Sequence, residues 1–520
     1  MTTNIDYTRI EREVTQYYRY AMFSHKWEDN EPLFENVIRI VVYDLGESPT
    51  HDKLKMFCKI VRDAGINWAW SDTCCINKGD HFVLQEALVS MFKWYQGSAM
   101  TIIFLRGLYA LSQRGALMKS IWNTRAWTLQ EYHASKVVRF YTEDWTPYLN
   151  LDIHNHKESP EIISEMEMAT GVSAQALMAL RPGLDDIREK LRLASTRKTT
   201  RVEDGAYSLL GIFSMSLPIV YGEGNRALGR LLAQLLTSSG DTRILAWTGQ
   251  SGSFNSCLPA NIHVFSELPT SHIPPAMTGT EMEAITGELR ASPANLTLVM
   301  ELYDRLNELP VPSFAGQRVR LPCLSFKLGR VSRNDSERSF RAQTKALGIV
   351  EIRTEEDLSR LDSLYLIHPW IDFLLDRHPV GRIGEAMSEG NINNECPMQD
   401  ESPSSTGPSN ITSATLQTRA ARLVARLGRP LSGRLATSTL DTASLRPPSS
   451  VSPMAKQTQA LQLVARLRQP FGPLLLTPTR QHVEEYRRVA VESVITAQVE
   501  VITPVILDKL IHSVRTLDVL

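Results

Sequence analysis

FVLQEALVSMFKWYQGSAMTIIFL, residues 82–105, is the stretch on which the fold turns. Its first part, residues 82–95, offers Val83, Ala87, Val89 and Phe92 as one apolar face of a helix. Its last part, TIIFL at 101–105, is an apolar β-prone run too short for a helix and reads as a buried strand. Working outward, the same alternation continues in both directions. Strand-like runs stand at 20–23, 68–71 and 137–141, and a further helical pattern covers 51–64. Strands alternating with helices of this length predict an α/β domain over residues 1–150, with a mainly parallel sheet covered on both faces.

Beyond it, residues 151–240 read as a helical segment that closes with GEGNRALGRLLAQLLTSS, a Gly-opened amphipathic helix. That run is no phosphate loop, because it lacks GK[ST] and the strand–glycine–helix context. Residues 241–383 mix prolines with strand-like runs such as RVRLPCLSF and read as a small β-rich domain. The run YRRVAVESVITAQVEVI alternates like a strand, so residues 481–520 are expected to return to that domain.

Between these parts, residues 384–480 read as a disordered basic insertion. GEAMSEGNINNECPMQDESPSSTGPSN carries five acidic and no basic residues, and residues 411–480 then carry ten Lys/Arg against one Asp. LVARL occurs at 423–427 and again at 463–467, with Pro430 and Pro470 at matching places. Two copies are too few for a solenoid. Two short basic amphipathic helices in a weakly ordered stretch are the expectation. The arginines Arg422, Arg426, Arg429, Arg466 and Arg468 fit an anionic membrane surface, an import signal or a solvated face.

The bulk numbers exclude more than they assert. Over 520 residues the formal net charge is −1, so no global field recruits nucleic acid. The N-terminal MTTNIDYTRIEREVTQYY shows no signal peptide, and no apolar run approaches the ~20 residues that span a bilayer. Six cysteines are scattered without a CxxC pair, which suits reduced thiols in a cytoplasmic protein. Neither a metal centre nor a permanently bound cofactor is expected.

Three ordered blocks carry a family resemblance: Tyr20-Ala-Met-Phe-Ser-His-Lys-Trp27, then Trp70-Ser-Asp-Thr-Cys-Cys-Ile-Asn77, then Arg125-Ala-Trp-Thr-Leu-Gln-Glu131. They resemble the SHxW, WID-x-CIN and RxWTLQE blocks of the fungal heterokaryon-incompatibility (HET) domain, over roughly residues 18–145. Arg201-Val-Glu-Asp204, Ala206–Gly211 and Tyr221-Gly-Glu-Gly224 are similar to the segment that follows this domain in basidiomycetes. Two departures stand out: Ser71 replaces an apolar residue, and Lys78 replaces the usual Gln.

The resemblance implies a divergent TIR domain, a flavodoxin-like parallel sheet. Some TIR domains cleave NAD through a glutamate on a helix that follows a central strand. It thus implies NAD as a substrate and Glu131 as the catalytic carboxylate; His25, whose unperturbed pKa lies close to neutrality, can serve as a general acid/base. Ser24, Trp27, Asp72, Asn77, Glu86, Arg125 and Trp127 would line the nucleotide site. It implies a role in non-self recognition and programmed cell death, with partners among other incompatibility or innate-immune-type proteins and with self-association.

Each of these residues also has a plainer reading. Glu131 can pair with Arg125 or Lys136, His25 can be a buried strand-end histidine, and Glu86 can be structural. Trp27, Trp70 and Trp127 can be core aromatics, and Asp72 and Asn77 can bond their own loop. Cys74 with His25 lacks a third orienting group for nucleophilic catalysis. A non-enzymatic assembly module is the alternative to an NAD-cleaving enzyme, and nicotinamide release separates the two.

Overall fold

Residues 7–266, 279–334, 338–370, 453–479, 485–499 and 501–520 are described by the computed structural model. Four apolar runs in the N-terminal part become strands: β1 (Tyr20–Ser24), β2 (Trp68–Ser71), β3 (Met100–Leu105) and β4 (Val138–Thr142). They pair in the order β2-β1-β3-β4, all in parallel. This is the order of the doubly wound α/β sheet whose direction of winding reverses beside β1. All six residues of β3 are buried, as a central strand covered on both faces requires.

The period of two along β1 separates the two faces. Ala21 and Phe23 pack with the helix Pro49–Asp63, whose N-terminus is capped by the Ser48 hydroxyl accepting from His51 N at 3.1 Å. Met22 lies in the other core, with Met91, Phe92 and Tyr95 of the helix His81–Gly97 and Leu129 of the helix Trp127–Ala134. Ser24 follows Met22 onto that second face. Ser71, the departure noted above, is buried and bonds Thr73 Oγ1 at 2.9 Å.

Residues 160–239 are largely helical, as expected, with helices Pro160–Thr170, Ala174–Ala179, Ile187–Ser195 and Arg226–Ser239. Gly211 lies so close to the first domain that an added Cβ would stand 2.2 Å from Phe92 Cβ.

The C-terminal part is β-rich. In chain order it contains β5 (Ser313–Ala315), β6 (Arg318–Lys327), β7 (Val331–Arg333), β8 (Ser339–Thr344), β9 (Gly348–Arg353), β10 (Tyr365–Pro369), β11 (Leu474–Pro478), β12 (Glu485–Arg488) and β13 (Val514–Val519). Strand β6 pairs with β13 at one end and with β10 at the other, so β6-β13-β12-β11-β10 close on themselves as a small barrel. Closure removes the exposed strand edges. Strands β7, β8 and β9 form a separate meander.

Three expectations change. The stretches read as separate domains share one core, which runs from Met22 through Leu231 and Val319 to Val519. The described residues before position 371 and after position 452 accordingly form one unit. The supposed insertion 384–480 ends too late: Pro453–Arg466 is a helix and Leu474–Pro478 is strand β11. The second LVARL copy is buried through Leu463, Val464 and Ala465, so its apolar face meets a core rather than water or lipid. The first copy and Arg422, Arg426 and Arg429 lie outside the described residues. Finally, of the described residues of YRRVAVESVITAQVEVI only the opening ones belong to a strand, β12.

Leu463→Ala is therefore expected to destabilise the protein by about 2–5 kcal/mol, the range for a buried leucine whose site cannot collapse. A denaturant-unfolding midpoint unchanged from wild type would place this helix outside the core.

Candidate functional site

The carboxyl ends of β1 and β2 and the loop after β3 meet at one mouth, at the point where the winding reverses. In doubly wound sheets this is where ligands bind. Strand β1 delivers Ser24 there. Trp122 Nε1 donates to Ser24 Oγ at 2.7 Å, and Ser24 in turn donates to Glu131 Oε2. An indole nitrogen can only donate, so Ser24 must accept from Trp122 and turn its own proton toward the carboxylate.

Glu131 is buried on the helix Trp127–Ala134, between β3 and β4. Its hydrogen-bond partner is Ser24, not the Arg125 or Lys136 of the plainer reading. Burial pushes its pKa up to about 7, the Asp72 charge adds to the rise, and Ser24, Arg125 and Arg197 oppose it. Asp72 is likewise raised to about 6, chiefly by burial, against the bond it accepts from Trp27 Nε1 at 2.7 Å. The Asp72 charge thus discourages Glu131 from ionising at this buried strand end.

His25 follows Ser24 and is buried, its ring stacked on Phe23 at 4.3 Å. Neither ring nitrogen has a hydrogen-bond partner among the described residues. Nε2 comes within 3.7 Å of Glu31, but Glu31 is already committed to Lys53. Burial, then Lys53, Arg125 and Lys78, hold the His25 pKa well below its ordinary value. Burial thus holds His25 toward the neutral imidazole, with both ring nitrogens unpaired among the described residues.

The other expected residues divide. Arg125 donates from Nη1 to His25 O at 2.8 Å and so belongs to the mouth. Trp27 is 39% exposed at its rim, with Lys78 Nζ 3.6 Å above the ring, so the substitution of Lys for Gln places a cation over that aromatic face. Asn77 turns inward on its own loop, accepting from Gly79 N at 3.0 Å. Trp127 bonds the Asp204 carboxylate. Asp204 also accepts from Tyr221 at 2.9 Å, while Glu203 Oε1 accepts from Gly222 N and Gly224 N. These contacts brace the turn at 221–224 against Glu203, Asp204 and Trp127. Glu86 is exposed on the helix His81–Gly97 and takes part in none of these contacts.

Sequence reasoning missed further contributors. Buried Arg197 donates to Arg125 O at 3.0 Å, to Thr128 Oγ1 at 2.9 Å and to Asn123 Oδ1 at 3.3 Å. Lys198 O accepts from Ala126 N at 3.0 Å, so the second segment is stitched to the loop that carries Arg125. On the other flank, buried Lys53 joins Glu28 and Glu31, and Arg106 from the end of β3 pairs with Glu28. Only the RxWTLQE block could have hinted at a partner for its own arginine. The other contributors come from far along the chain. Among the described residues no group of side chains suits a metal, and Cys58, Cys74, Cys75, Cys257 and Cys323 are free thiols. Cys396 lies outside the described residues.

A doubly wound parallel sheet with a buried carboxylate mouth at its switch point thus defines the class of the N-terminal part. Residues 20–114 match the family model of the heterokaryon incompatibility protein (HET), and the chain carries a HET domain. The chain is 34% identical over 227 residues to the vegetative incompatibility protein HET-E-1 of Podospora anserina. That match covers 41% of this chain and 16% of HET-E-1. No solved structure matches significantly. Trp122, Arg125, Glu131 and Arg197 all lie beyond the residues that the family model matches. Among the described residues no helix is long and apolar enough to cross a membrane.

Folded Glu131 keeps a proton that an unfolded glutamate, with an ordinary value of 4.5, has already lost, up to about pH 7. The folded state therefore binds more protons across this window, and stability falls as pH rises through it. Glu131→Gln has no proton to lose, so thermal melts should show it gaining on wild type at pH 8 and not at pH 4. A gain that is the same at both pH values would mean that Glu131 ionises normally in the fold.

Proposed function

We propose that this chain acts in vegetative (heterokaryon) incompatibility and that its N-terminal domain is a TIR-like enzyme that cleaves NAD, killing the cell by depletion. One observation carries the reading: a buried carboxyl with a pKa of about 7 on the helix between β3 and β4, facing the switch-point mouth and gripped by Ser24. The strand order and the position of that helix fit the slot in which a TIR domain holds its glutamate.

The chemistry suits the arrangement. When the bond between nicotinamide nitrogen and ribose C1′ breaks, its electron pair leaves with nicotinamide and positive charge develops on the ribose. Ionised Glu131 stabilises that charge, as the second carboxylate does in glycosidases. Water then attacks C1′ and yields a proton, which the carboxylate accepts. Arg125 is placed to meet a phosphate, and the rim of Trp27 to meet a ring. The setting is proposed to be the cytoplasm, and the partners other incompatibility proteins or further copies of this chain.

A second reading, a non-enzymatic assembly module, draws on the exposed apolar residues beside the mouth, Phe82 at 85% and Leu111 at 95% exposure. Incubation of purified protein with NAD decides between them, because nicotinamide release belongs to the first alone.

Under the enzymatic reading, Glu131→Gln should lower release on the order of 10²–10³-fold and abolish killing. Wild-type killing by folded Glu131→Gln would overturn the role of this residue. The wild-type rate should rise with pH through about 7, as Glu131 loses its proton. Ser24→Ala removes a bond that lowers the Glu131 pKa, so the rising limb of the pH–rate profile should move to higher pH. A profile that keeps its position would show that Ser24 does not tune the carboxylate.

A further inference from the structure

At the opposite edge of the sheet, where the chain enters β3 and β4, lies a cleft of about 320 Å³. None of the mouth residues lines it. Its size falls at the lower end of the range for small-molecule sites. Phe92, Met166, Leu177 and Leu180 form apolar walls. The lining holds the bases His133, Lys136, Lys157 and Arg181, one phenol, Tyr132, and no carboxylate.

Among the described residues the cations of this lining meet no carboxylate. Lys157 Nζ donates to the carbonyl of Ser135 at 2.6 Å and lies 4.5 Å over the Tyr132 ring. Arg181 donates only to the carbonyls of Met178 and Leu180, at 3.0 and 3.2 Å. Lys136 is exposed at the rim, and among the described residues no ion pair is formed by its ammonium. Half-buried Lys157 has its pKa lowered to about 8 by burial, the sign of an ammonium that lacks a counter-charge. Backbone carbonyls satisfy donors but do not neutralise charge, whereas an anion would do both.

We propose that this cleft binds a small amphipathic anion, its apolar body against Phe92, Met166 and Leu177 and its carboxylate or phosphate head held by Lys136, Lys157 and Arg181. The arrangement excludes a cation, which would meet three like charges, and gives a neutral alcohol no charge-assisted bond. Because the cleft is separate from Ser24 and Glu131, the proposal stands or falls apart from NAD cleavage.

The test is isothermal titration calorimetry of the full chain with octanoate, octyl phosphate, octanol and octyltrimethylammonium, all below their micellar concentrations. Saturable 1:1 binding of at least one anion is expected, with octanol and the cation weaker by tenfold or more. Lys136→Met and Arg181→Met remove exposed charges and should each weaken anion binding about three- to tenfold. Met178→Glu, at a half-exposed lining position, should abolish it. Thermal melts of the three variants establish that each is folded. Failure of both anions to saturate, equal binding of octyltrimethylammonium, or unchanged affinity in the folded Lys136→Met/Arg181→Met double variant would overturn the proposal.

Discussion

The hydrogen-bond chain from Trp122 through Ser24 to Glu131 joins the end of β1 to the helix before β4, and the organisation of the mouth depends on it. Its direction is forced by the indole, which cannot accept. Ser24 is available for it because β1 alternates: Met22 and Ser24 share the face on which the helix Trp127–Ala134 packs. A shift of one residue in β1 would turn Ser24 toward the helix Pro49–Asp63 and leave both a buried indole N–H and a buried carboxyl unpaired. Arg197 fixes the same region from behind by holding Arg125, Thr128 and Asn123 together. That arginine belongs to the segment after the HET domain, so the mouth is completed by residues that the domain boundary excludes.

Burial dominates the electrostatics of this mouth. Glu131 and Asp72 are driven toward their neutral acids, and His25 toward its neutral imidazole, although cations and anions are both close by. On the flank, Glu28 keeps its charge easily because it is less deeply buried and accepts from Lys53 and Arg106. The contrast separates two kinds of carboxylate within a few residues of the strand ends. One is an ion-pair partner that ties loops together, and the other is held close to the point of ionising. Charge that develops in such a dry site is stabilised by fixed dipoles rather than by mobile water.

Much of this was legible in the sequence, and the parts that were not share a cause. The strands and the main helices of the α/β domain announced themselves through local apolar periodicity, as did the helix Arg226–Ser239. The bond between Ser24 and Glu131 has a local basis, because Ser24 ends β1 and Glu131 sits on the helix that leads into β4. Arg197 and Lys53 had no local signature, because a buried charge is explained only by partners far along the chain. The LVARL copies show the opposite limit. Both have the same amphipathic pattern, and in the second Leu463 and Val464 are buried against the helix Pro293–Asn307 and its neighbours. Amphipathicity reveals that a face wants covering, not what covers it. Composition had made this stretch look unable to fold, when its apolar side was completing a core assembled elsewhere.

The pairing of β10 with β11 carries an evolutionary consequence. Ile367 lies opposite Leu474 in an antiparallel ladder, so the chain leaves the barrel and rejoins it at neighbouring positions. The register there is fixed by the two strands themselves, whatever sequence runs between them. Closing a longer loop costs only about 0.6 kcal/mol for each doubling of its length. The barrel can therefore accept added length between Trp370 and the helix Pro453–Arg466 at little thermodynamic cost, whereas that helix itself packs into the core. The junction is a place where lineages can lengthen, shorten or replace sequence while the HET domain and its brace stay as they are.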